Sequence, residues 1–312
     1  MAARVGCGNC PPVRAFHSDR YEIPLPPGHR FPIEKYRRLR ELLLERAILT
    51  ADELAPAPLA TRSELETVHT PAYLDAVFAG TLDAQMQRRI GLPWSEALVL
   101  RSRASVGGTL AAARWALEHG IAGNLAGGTH HAFADRGEGY CVFNDLAVAA
   151  RVLQREGRAR RIVIVDLDVH QGNGTADIFF GDPTVFTFSM HGEKNFPFKK
   201  TVSTLDVNLP DGCTDEEYLR RLSKHLPEVL DEGSPDLLLY QAGVDPLAED
   251  SLGRLSLTWG GLRARDRLVL EAARERHVPV VLTMGGGYAK PIDFSLEAHA
   301  NTYALAKLLY EG

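Results

Sequence analysis

Most of the chain after residue 120 alternates between short apolar segments and amphipathic helical segments. The segment at 161–165 is a β-branched apolar run, typical of a strand buried on both faces of a parallel sheet. Further strands are predicted between the helical patterns, at 123–126, 184–189, 236–240 and 278–283. This alternation favours a parallel sheet covered by helices on both faces, so we expect a single α/β domain over residues 1–312.

Helix boundaries are predicted from the residues at their ends. A helical pattern spans 97–119, with an interruption expected at the glycine pair 107–108 and a stop at Gly120. Asn144 is expected to cap the following helix. Residues 1–28 are rich in proline, glycine and charge, and are expected to be irregular.

Composition narrows the class of protein. Hydrophobic residues make up 45% of the 312 residues, which is enough for a substantial core, and the net charge is −5 without a long block of like charge. Strong attraction to nucleic acid or an anionic membrane is therefore not expected. The sequence shows no apolar run of signal-peptide or membrane-helix character, so a cytoplasmic protein is expected, and the excess of arginine over lysine suggests a bacterial source.

Four cysteines are present, and we expect reduced thiols. Cys7 and Cys10 have C-x-x-C spacing, but a zinc knuckle would need a second pair, and Cys141 and Cys213 are too far apart to form one. The interpretation favoured for Cys7 and Cys10 is an incidental pair.

The segment that follows the strand at 161–165 carries three side chains able to bind a metal. Side chains alternate along a strand, so Asp166, Asp168 and His170 would point the same way for as long as the strand continues. Ligands bind at the carboxyl ends of strands in open parallel sheets. The alternative is a solvated, inert turn, but D-x-D-x-H after such a strand favours a cation site.

Three more motifs follow predicted strands. They are Gly127–His131, Gly243–Asp245 and Gly285–Tyr288. Each has an ordinary structural explanation by itself, such as a core histidine, a flexible turn or a surface tyrosine. Because the carboxyl ends of parallel strands meet at one edge of a sheet, however, we expect all four motifs to form one site.

The residues of these motifs are suited to metal-assisted amide hydrolysis. Asp168, His170 and Asp245 would bind a divalent cation and leave a position open for water or substrate. Asp166 is better placed behind them, orienting His130. One histidine would move the proton and Tyr288 would stabilise the oxyanion; the sequence has neither a G-x-S-x-G motif nor a phosphate loop.

At these residues the chain resembles the histone deacetylase family. The matching segments are GGTHHAFADRGEGYCVFND, DLDVHQGNG, SMH, YQAGVDPLAEDSLGRLS and GGGY, and the resemblance extends from about His29 to the C-terminus. The segments HQGNG and GVDPLAEDSLG are most similar to those of class IV deacetylases and their bacterial relatives. The resemblance implies the arginase/deacetylase fold, a single domain with a mostly parallel central sheet of about eight strands and helices on both faces.

The resemblance also implies roles for individual residues. His131 would be the general acid–base, His130 its electrostatic partner held by Asp166, and Tyr288 the transition-state tyrosine. Zinc would be bound by Asp168, His170 and Asp245, although iron(II) or cobalt fits the same ligands. A narrow tunnel for an acyl-lysine chain would be lined by Gly139, Tyr140, Phe196 and Gly286, or Tyr140 and Phe196 could be ordinary core aromatics. A structural potassium ion is implied near Asp166, Ser189 and Met190 and the backbones of Asp168 and His170.

One position departs from the class I pattern. Where that class has an aspartate behind the second histidine, this chain has Asn173. A neutral partner stabilises an imidazolium less than a carboxylate does, so we expect His131 to stay neutral more readily than it would beside aspartate.

The substrate is left open by the sequence. The resemblance implies removal of acetyl or longer fatty acyl groups from lysine in proteins or peptides, or deacylation of acetylpolyamines and other small acylated amines. Cys141 and the glycines at 285–287 could leave room below the metal, which would favour longer acyl groups. Two alternative functions are also considered. The protein would then be a two-metal manganese ureohydrolase of the same fold or a non-catalytic protein that binds acyl-lysine. The physiological target and the oligomeric state do not follow from the sequence.

Overall fold

One eight-stranded sheet organises the structure, a computed structural model that describes residues 12–312. The strands are β1 Arg14–His17, β2 Leu54–Pro56, β3 Ile121–Asn124, β4 Ile162–Asp166, β5 Val185–Gly192, β6 Leu205–Leu209, β7 Leu237–Gln241 and β8 Val280–Thr283. Their order is β2-β1-β3-β8-β7-β4-β5-β6, and every neighbouring pair is parallel. The Cys7 and Cys10 pair lies outside the described residues.

Helices connect the strands. They are α1 Lys35–Glu45, α2 Arg62–Leu65, α3 Pro71–Ala79, α4 Ala84–Ile90, α5 Glu96–His119, α6 Asp145–Arg155, α7 Asn173–Ile178, α8 Asp215–Gly233, α9 Trp259–Glu275 and α10 Asp293–Glu311. A 3₁₀ turn, Ala51–Glu53, precedes β2. None of the helices in the described part of the chain has the length and apolar character needed to cross a bilayer.

The sheet is covered on both faces, as the alternation in the sequence predicts. Val163 and Val165 of β4 pack into one apolar cluster with residues of α8, α9 and α10. The intervening Ile162 and Ile164 pack into a second cluster with residues of α5 and α6. Successive side chains of a strand face opposite ways, so a strand in the middle of a covered sheet is apolar at every position.

Residues 1–28 are not irregular throughout, because β1 lies within them. Ala15 pairs with Leu54 on one side and with Gly123 on the other, so β1 is an interior strand of the sheet. Its four residues include arginine and histidine, which leave too little apolar pattern to distinguish it from a loop. The short strands β2 and β6 at the sheet edges were likewise not predicted.

The glycine pair 107–108 does not interrupt α5, which runs unbroken to the predicted stop at Gly120. A Cβ at Gly107 would lie 2.0 Å from the carbonyl oxygen of Pro58, and one at Gly108 would lie 2.8 Å from the Asn124 side chain. The two glycines therefore allow close packing of the helix, and that requirement outweighs their low helix propensity. The strand after Gly120 begins two residues before its predicted start, at 121–124.

Candidate active site

The carboxyl ends of four neighbouring strands, β3, β8, β7 and β4, form the edge at which the predicted motifs meet. Asp166 is paired in register with Gln241, and both Gln241 and Asn124 are paired with Thr283. The loops that follow these four strand ends therefore start at the same level of the sheet. Residues more than 150 positions apart, such as His130 and Tyr288, line the same cavity for this reason.

Three of these residues form a compact cluster of possible metal ligands. One ligand atom from each of Asp168, His170 and Asp245 lies within 4.8 Å of the others. The His170 Nδ1 atom is 2.9 Å from Asp168 Oδ1 and 3.1 Å from Asp245 Oδ2. Both carboxylates are buried, and Nδ1 is the ring nitrogen directed at them. The structure thus brings together the three residues that the sequence predicts as ligands.

The charges in this cluster fit a divalent cation. Burial, together with the negative charge of Asp168, raises the pKa of Asp245 to about 7. Burial acts to lower the pKa of His170, but hydrogen bonds to Asp168 and Asp245 outweigh it and raise that pKa to about 10. Two buried carboxylates therefore hold positive charge between them, here the proton of His170, which is the position a metal ion would take.

Backbone groups fix the two carboxylates. Gly286 donates its N–H to Asp168 Oδ2 at 2.6 Å, and Val169 donates its N–H to Asp245 Oδ1 at 2.8 Å. A Cβ at Gly286 would lie 1.8 Å from Asp245 Oδ2. The glycines at 285–287 therefore let the backbone approach the carboxylates. That they leave room below the metal for longer acyl groups stays a prediction.

His130 is held by Asp166, which lies at the end of β4. The His130 Nδ1 atom donates to Asp166 Oδ2 at 2.7 Å, and both side chains are 4% exposed. Burial acts to lower the pKa of His130, but the charges of Asp166 and Asp168 outweigh it, so the pKa is raised. The pair is placed as the sequence predicts, and His130 Nε2 lies 3.9 Å from Asp168 Oδ1 of the ligand cluster.

His131 is held differently, by an amide. Its Nδ1 atom donates to Asn173 Oδ1 at 2.7 Å, and the Asn173 amide nitrogen donates to Glu138 Oε2 at 3.3 Å. Burial and the positive charges of His130 and His170 keep the pKa of His131 well below its ordinary value. The ring is therefore neutral, with its proton on Nδ1 and with Nε2 free to accept a proton.

Tyr288 lines the cavity and is fixed through its backbone and its ring. Its N–H donates to Asp250 Oδ2 at 2.6 Å. The buried Lys35 donates to the carbonyl of Gly287 at 3.3 Å, and its Nζ atom lies 5.0 Å from the centroid of the Tyr288 ring. Burial raises the pKa of Tyr288 well above its ordinary value, so the phenol keeps its proton and can donate it in a hydrogen bond.

These groups surround a cavity of about 860 Å³. It is lined by all four predicted tunnel residues, Gly139, Tyr140, Phe196 and Gly286. The Phe196 ring packs edge-on against His131 with 4.9 Å between ring centroids, and the Tyr140 ring lies 6.1 Å from that of Tyr288. The two aromatics are therefore cavity walls and not ordinary core residues. Cys141 also lines the cavity.

The residues implied for potassium lie at the end of β4, directly after it, and within β5. Asp166 is paired in register with Ser189, and the next residue of β5 is the buried Met190. The Ser189 hydroxyl forms a hydrogen bond with His191 Nδ1 at 2.9 Å. The Gly192 N–H donates to the carbonyl of Val169 at 2.9 Å, so β5 lies beside the segment that contains Asp168 and His170.

Arg265 on α9 was not predicted as a site residue. It is fully buried, and its Nη1 atom donates to the carbonyls of Gly243 at 2.5 Å and Leu167 at 3.3 Å. It thereby links the loop of Asp245 to the loop of Asp168. The sequence does contain a signal, because the adjacent Arg265 and Asp266 fall on the mostly apolar face of an amphipathic helix.

Asp145 is a second residue that sequence reasoning missed. Its carboxylate accepts hydrogen bonds from the N–H groups of Gly128 at 3.0 Å and Thr129 at 2.7 Å. It therefore holds the loop that carries His130 and His131. Asp145 directly follows Asn144, which caps α6 as predicted, so the sequence offered an acidic first turn as its only signal.

Comparisons with known proteins agree with this geometry. The family model for the histone deacetylase domain matches residues 29–303. An uncharacterized protein of Picosynechococcus sp. is 50% identical over 295 residues, which cover 95% of this chain and 98% of that protein. Histone deacetylase 2 of Arabidopsis thaliana is 31% identical over 290 residues, which cover 89% of this chain and 75% of that protein.

A solved structure shows the same architecture. The crystal structure of a histone deacetylase homolog from Aquifex aeolicus superimposes with a TM-score of 0.82 at 27% identity, covering 95% of this chain and 84% of that one. This likeness confirms the arginase/deacetylase fold implied by the sequence motifs. The chain therefore belongs to the histone deacetylase family.

Proposed function

We propose that this protein is a zinc-dependent amidohydrolase that removes an acyl group from the side-chain amine of lysine, with residues 1–312 acting as one catalytic domain. The observation that carries the proposal is the pairing of His131 with Asn173. It leaves an unprotonated ring nitrogen in a cavity that is also lined by Asp168 and His170, two members of the cluster completed by Asp245. Membership of the histone deacetylase family supports the same reaction class.

The cluster supplies three ligands to the metal. Two carboxylates and one imidazole leave a position open for water and the substrate carbonyl, which is typical of catalytic sites. Zinc would polarise that carbonyl and lower the pKa of water there. Iron(II) or cobalt would fit the same donor atoms.

His131 is the proposed proton carrier. Its Nε2 atom takes the proton of the attacking water and later delivers it to the departing lysine amine, because the Asn173 contact commits the other nitrogen to donation. His130, held as an imidazolium by Asp166, contributes positive charge next to the developing oxyanion.

Tyr288 is the proposed hydrogen-bond donor to that oxyanion. Burial keeps the phenol protonated, and the contacts of Asp250 and Lys35 fix the segment that carries it. A donor that is already oriented before reaction costs no rearrangement when charge develops.

The cavity walls suit an extended alkyl chain. Tyr140 and Phe196 would flank the lysine methylenes, and Gly139 and Gly286 would complete the wall. The cavity is also lined by Cys141 and by Leu98 and Ser105 of α5, so acyl groups longer than acetyl are proposed as substrates too. A series of acyl-lysine peptides with increasing acyl length would test this. Equal rates of hydrolysis for acetyl-lysine and myristoyl-lysine peptides would contradict a preference for longer acyl groups.

A structural potassium ion is proposed between β4 and β5. The ligands would be Asp166, Ser189, the Met190 position and the backbones of Asp168 and His170. The in-register pairing of Asp166 with Ser189 supports this site. An ion there would tie the metal-ligand loop to the neighbouring strand.

The decisive experiment is an assay with fluorogenic acyl-lysine peptides, run with the zinc-loaded protein and with Tyr288→Phe. Loss of one oxyanion donor should lower kcat by about 10²–10³-fold. Tyr21→Phe, a change at a tyrosine that pairs with Arg20 outside the cavity, is the matched control and should leave kcat unchanged. Equal product release by wild type and Tyr288→Phe would overturn the mechanism, and two metal ions per chain would favour the ureohydrolase chemistry.

A further inference from the structure

Five cationic side chains surround the mouth of the cavity. They are Arg30, Arg88, Arg89, Lys194 and Arg254, and all five are exposed while also lining the cavity. They come from four separate segments, before α1, in the last turn of α4, after β5 and after β7. We call these five residues the cationic rim.

The positive charge of the cationic rim is poorly compensated. Arg254 and Lys194 share one carboxylate, Asp211, at 2.7 Å and 3.9 Å. Within residues 12–312, Arg30, Arg88 and Arg89 form no ion pair with an acidic side chain. A chain of net charge −5 thus presents a locally positive surface around its active-site entrance.

The carboxylates that line the cavity do not cancel this charge. They are Glu138 and Asp168. Asp168 is one of the three proposed metal ligands, and Glu138 accepts a hydrogen bond from Asn173. Asp168 and Asp245 would balance a bound dication, and the buried Arg101 adds one more cation to the lining.

Charges at an active-site entrance act on the parts of a substrate that stay outside. The Debye length is about 8 Å at physiological salt, so groups within one or two residues of the acylated lysine feel the cationic rim. Like charges across such an interface are repelled, which disfavours polyamines and lysine-rich sequences. Acidic side chains would be attracted and would arrive faster.

We propose that the substrate is an acyl-lysine flanked by acidic residues. This inference rests on the proposed function and narrows it, because it selects an acidic peptide over acetylpolyamines and over basic, histone-tail-like sequences. Arg88 and Arg89 are its main determinants. They project from the end of α4, and the Arg89 carbonyl accepts a hydrogen bond from Gly139, so the basic helix end is attached to the tunnel wall.

The test compares peptides that carry the same acyl-lysine between acidic, uncharged or basic neighbours, with an acetylpolyamine as a fourth substrate. At low salt kcat/KM for the acidic peptide should exceed that for the basic peptide by about tenfold or more, and added salt should shrink the ratio. Equal kcat/KM for the acidic and basic peptides, or a higher value for the polyamine, would overturn the inference. If no acyl-lysine peptide is cleaved at all, the proposed function fails instead.

Reversing the charge of Arg88 and Arg89 tests whether these residues cause the preference for acidic peptides. Arg88→Glu combined with Arg89→Glu should abolish or invert the preference for acidic peptides. Arg263→Glu combined with Arg274→Glu changes the net charge equally at exposed positions of α9, and should keep the preference. If the Arg88→Glu, Arg89→Glu variant keeps the preference for acidic peptides to the same extent as the control variant, the cationic rim is not its cause.

Discussion

The amide oxygen of Asn173 accepts a hydrogen bond from His131 Nδ1 at 2.7 Å, so the proposed base is oriented by a neutral group. Asn173→Asp would replace that group with a carboxylate, which stabilises the imidazolium and raises the pKa of His131. Because His131 must be unprotonated to act, the acidic limb of the pH–rate profile should move to higher pH.

The profile of kcat/KM against pH, measured for both proteins with the same metal content, checks this shift. An acidic limb that stays in place would show that His131 is not the group whose protonation stops the reaction.

We expect Glu138 to affect catalysis by orienting the side-chain amide of Asn173. Its carboxylate can only accept, so it attracts the amide NH₂ of Asn173 and turns the amide oxygen toward His131. Glu138→Gln can satisfy either orientation of that amide, and kcat should fall by about tenfold, the equivalent of one hydrogen bond of about 1.4 kcal/mol, with KM little changed.

Glu249→Gln, at an exposed position outside the cavity, is the matched control for Glu138→Gln. The ¹⁵N signals of His131 give a readout that a purely structural role would not change, because they report which ring nitrogen carries the proton. An unchanged tautomer together with unchanged kcat would refute the role of Glu138.

Removal of the metal should make stability strongly dependent on pH. The pKa of Asp245 is raised from 3.8 to about 7 by burial and by Asp168, so its contribution to folding is lost as pH rises through that interval. The pKa of His170 is raised from 6.5 to about 10 by its carboxylate partners, and their stabilising contact is lost as pH rises further. The Tm of the metal-free protein should therefore fall between about pH 4 and pH 10.

Thermal unfolding of chelated and zinc-loaded protein at several pH values measures this. The difference in Tm between the two forms should grow with pH, since the dication replaces the protons. Asp245→Asn should raise the Tm of the metal-free protein at high pH while abolishing metal binding. A Tm difference that is constant with pH would contradict the charge balance described for the ligand cluster.

Arg265 should control metal affinity without touching the metal. Arg265→Lys keeps the charge but removes the Nη1 donor that reaches the carbonyls of Gly243 and Leu167, so the two ligand loops lose their link. We expect metal affinity to fall by about 10–100-fold, the range found for groups that support ligands. Arg267→Lys, at an Arg267–Glu271 pair on the same helix, is the control, and competition with a chelator gives both affinities. Equal affinities for the two variants would reject this role.

The ligand set could be predicted because its sequence signals are local. Asp168 and His170 follow an unbroken apolar strand, and Asp245 follows another, so the rule that ligands lie at strand ends was enough to group them. The same rule brought in His130 and Tyr288. In a parallel sheet, residues that are far apart in the chain lie at the same edge when each follows a strand. This can be predicted without knowing how the side chains pack.

What could not be predicted depends on contacts between distant segments. The interior position of β1 follows from its pairing with β2 and β3, and its four residues do not encode it. The glycines 107–108 are needed because Pro58 and Asn124 pack against α5. Likewise, Glu138 and Lys35 acquire their roles only through partners 35 and 252 positions away.

The order of the sheet sets when the catalytic centre can be assembled. The last two strands to be synthesised, β7 and β8, lie between β3 and β4, so they separate the segments that bear His130 and Asp168. A chain that stops before residue 237 lacks both of these strands and also Asp245. The three proposed metal ligands can therefore come together only after the middle of the sheet has been made, near the end of synthesis.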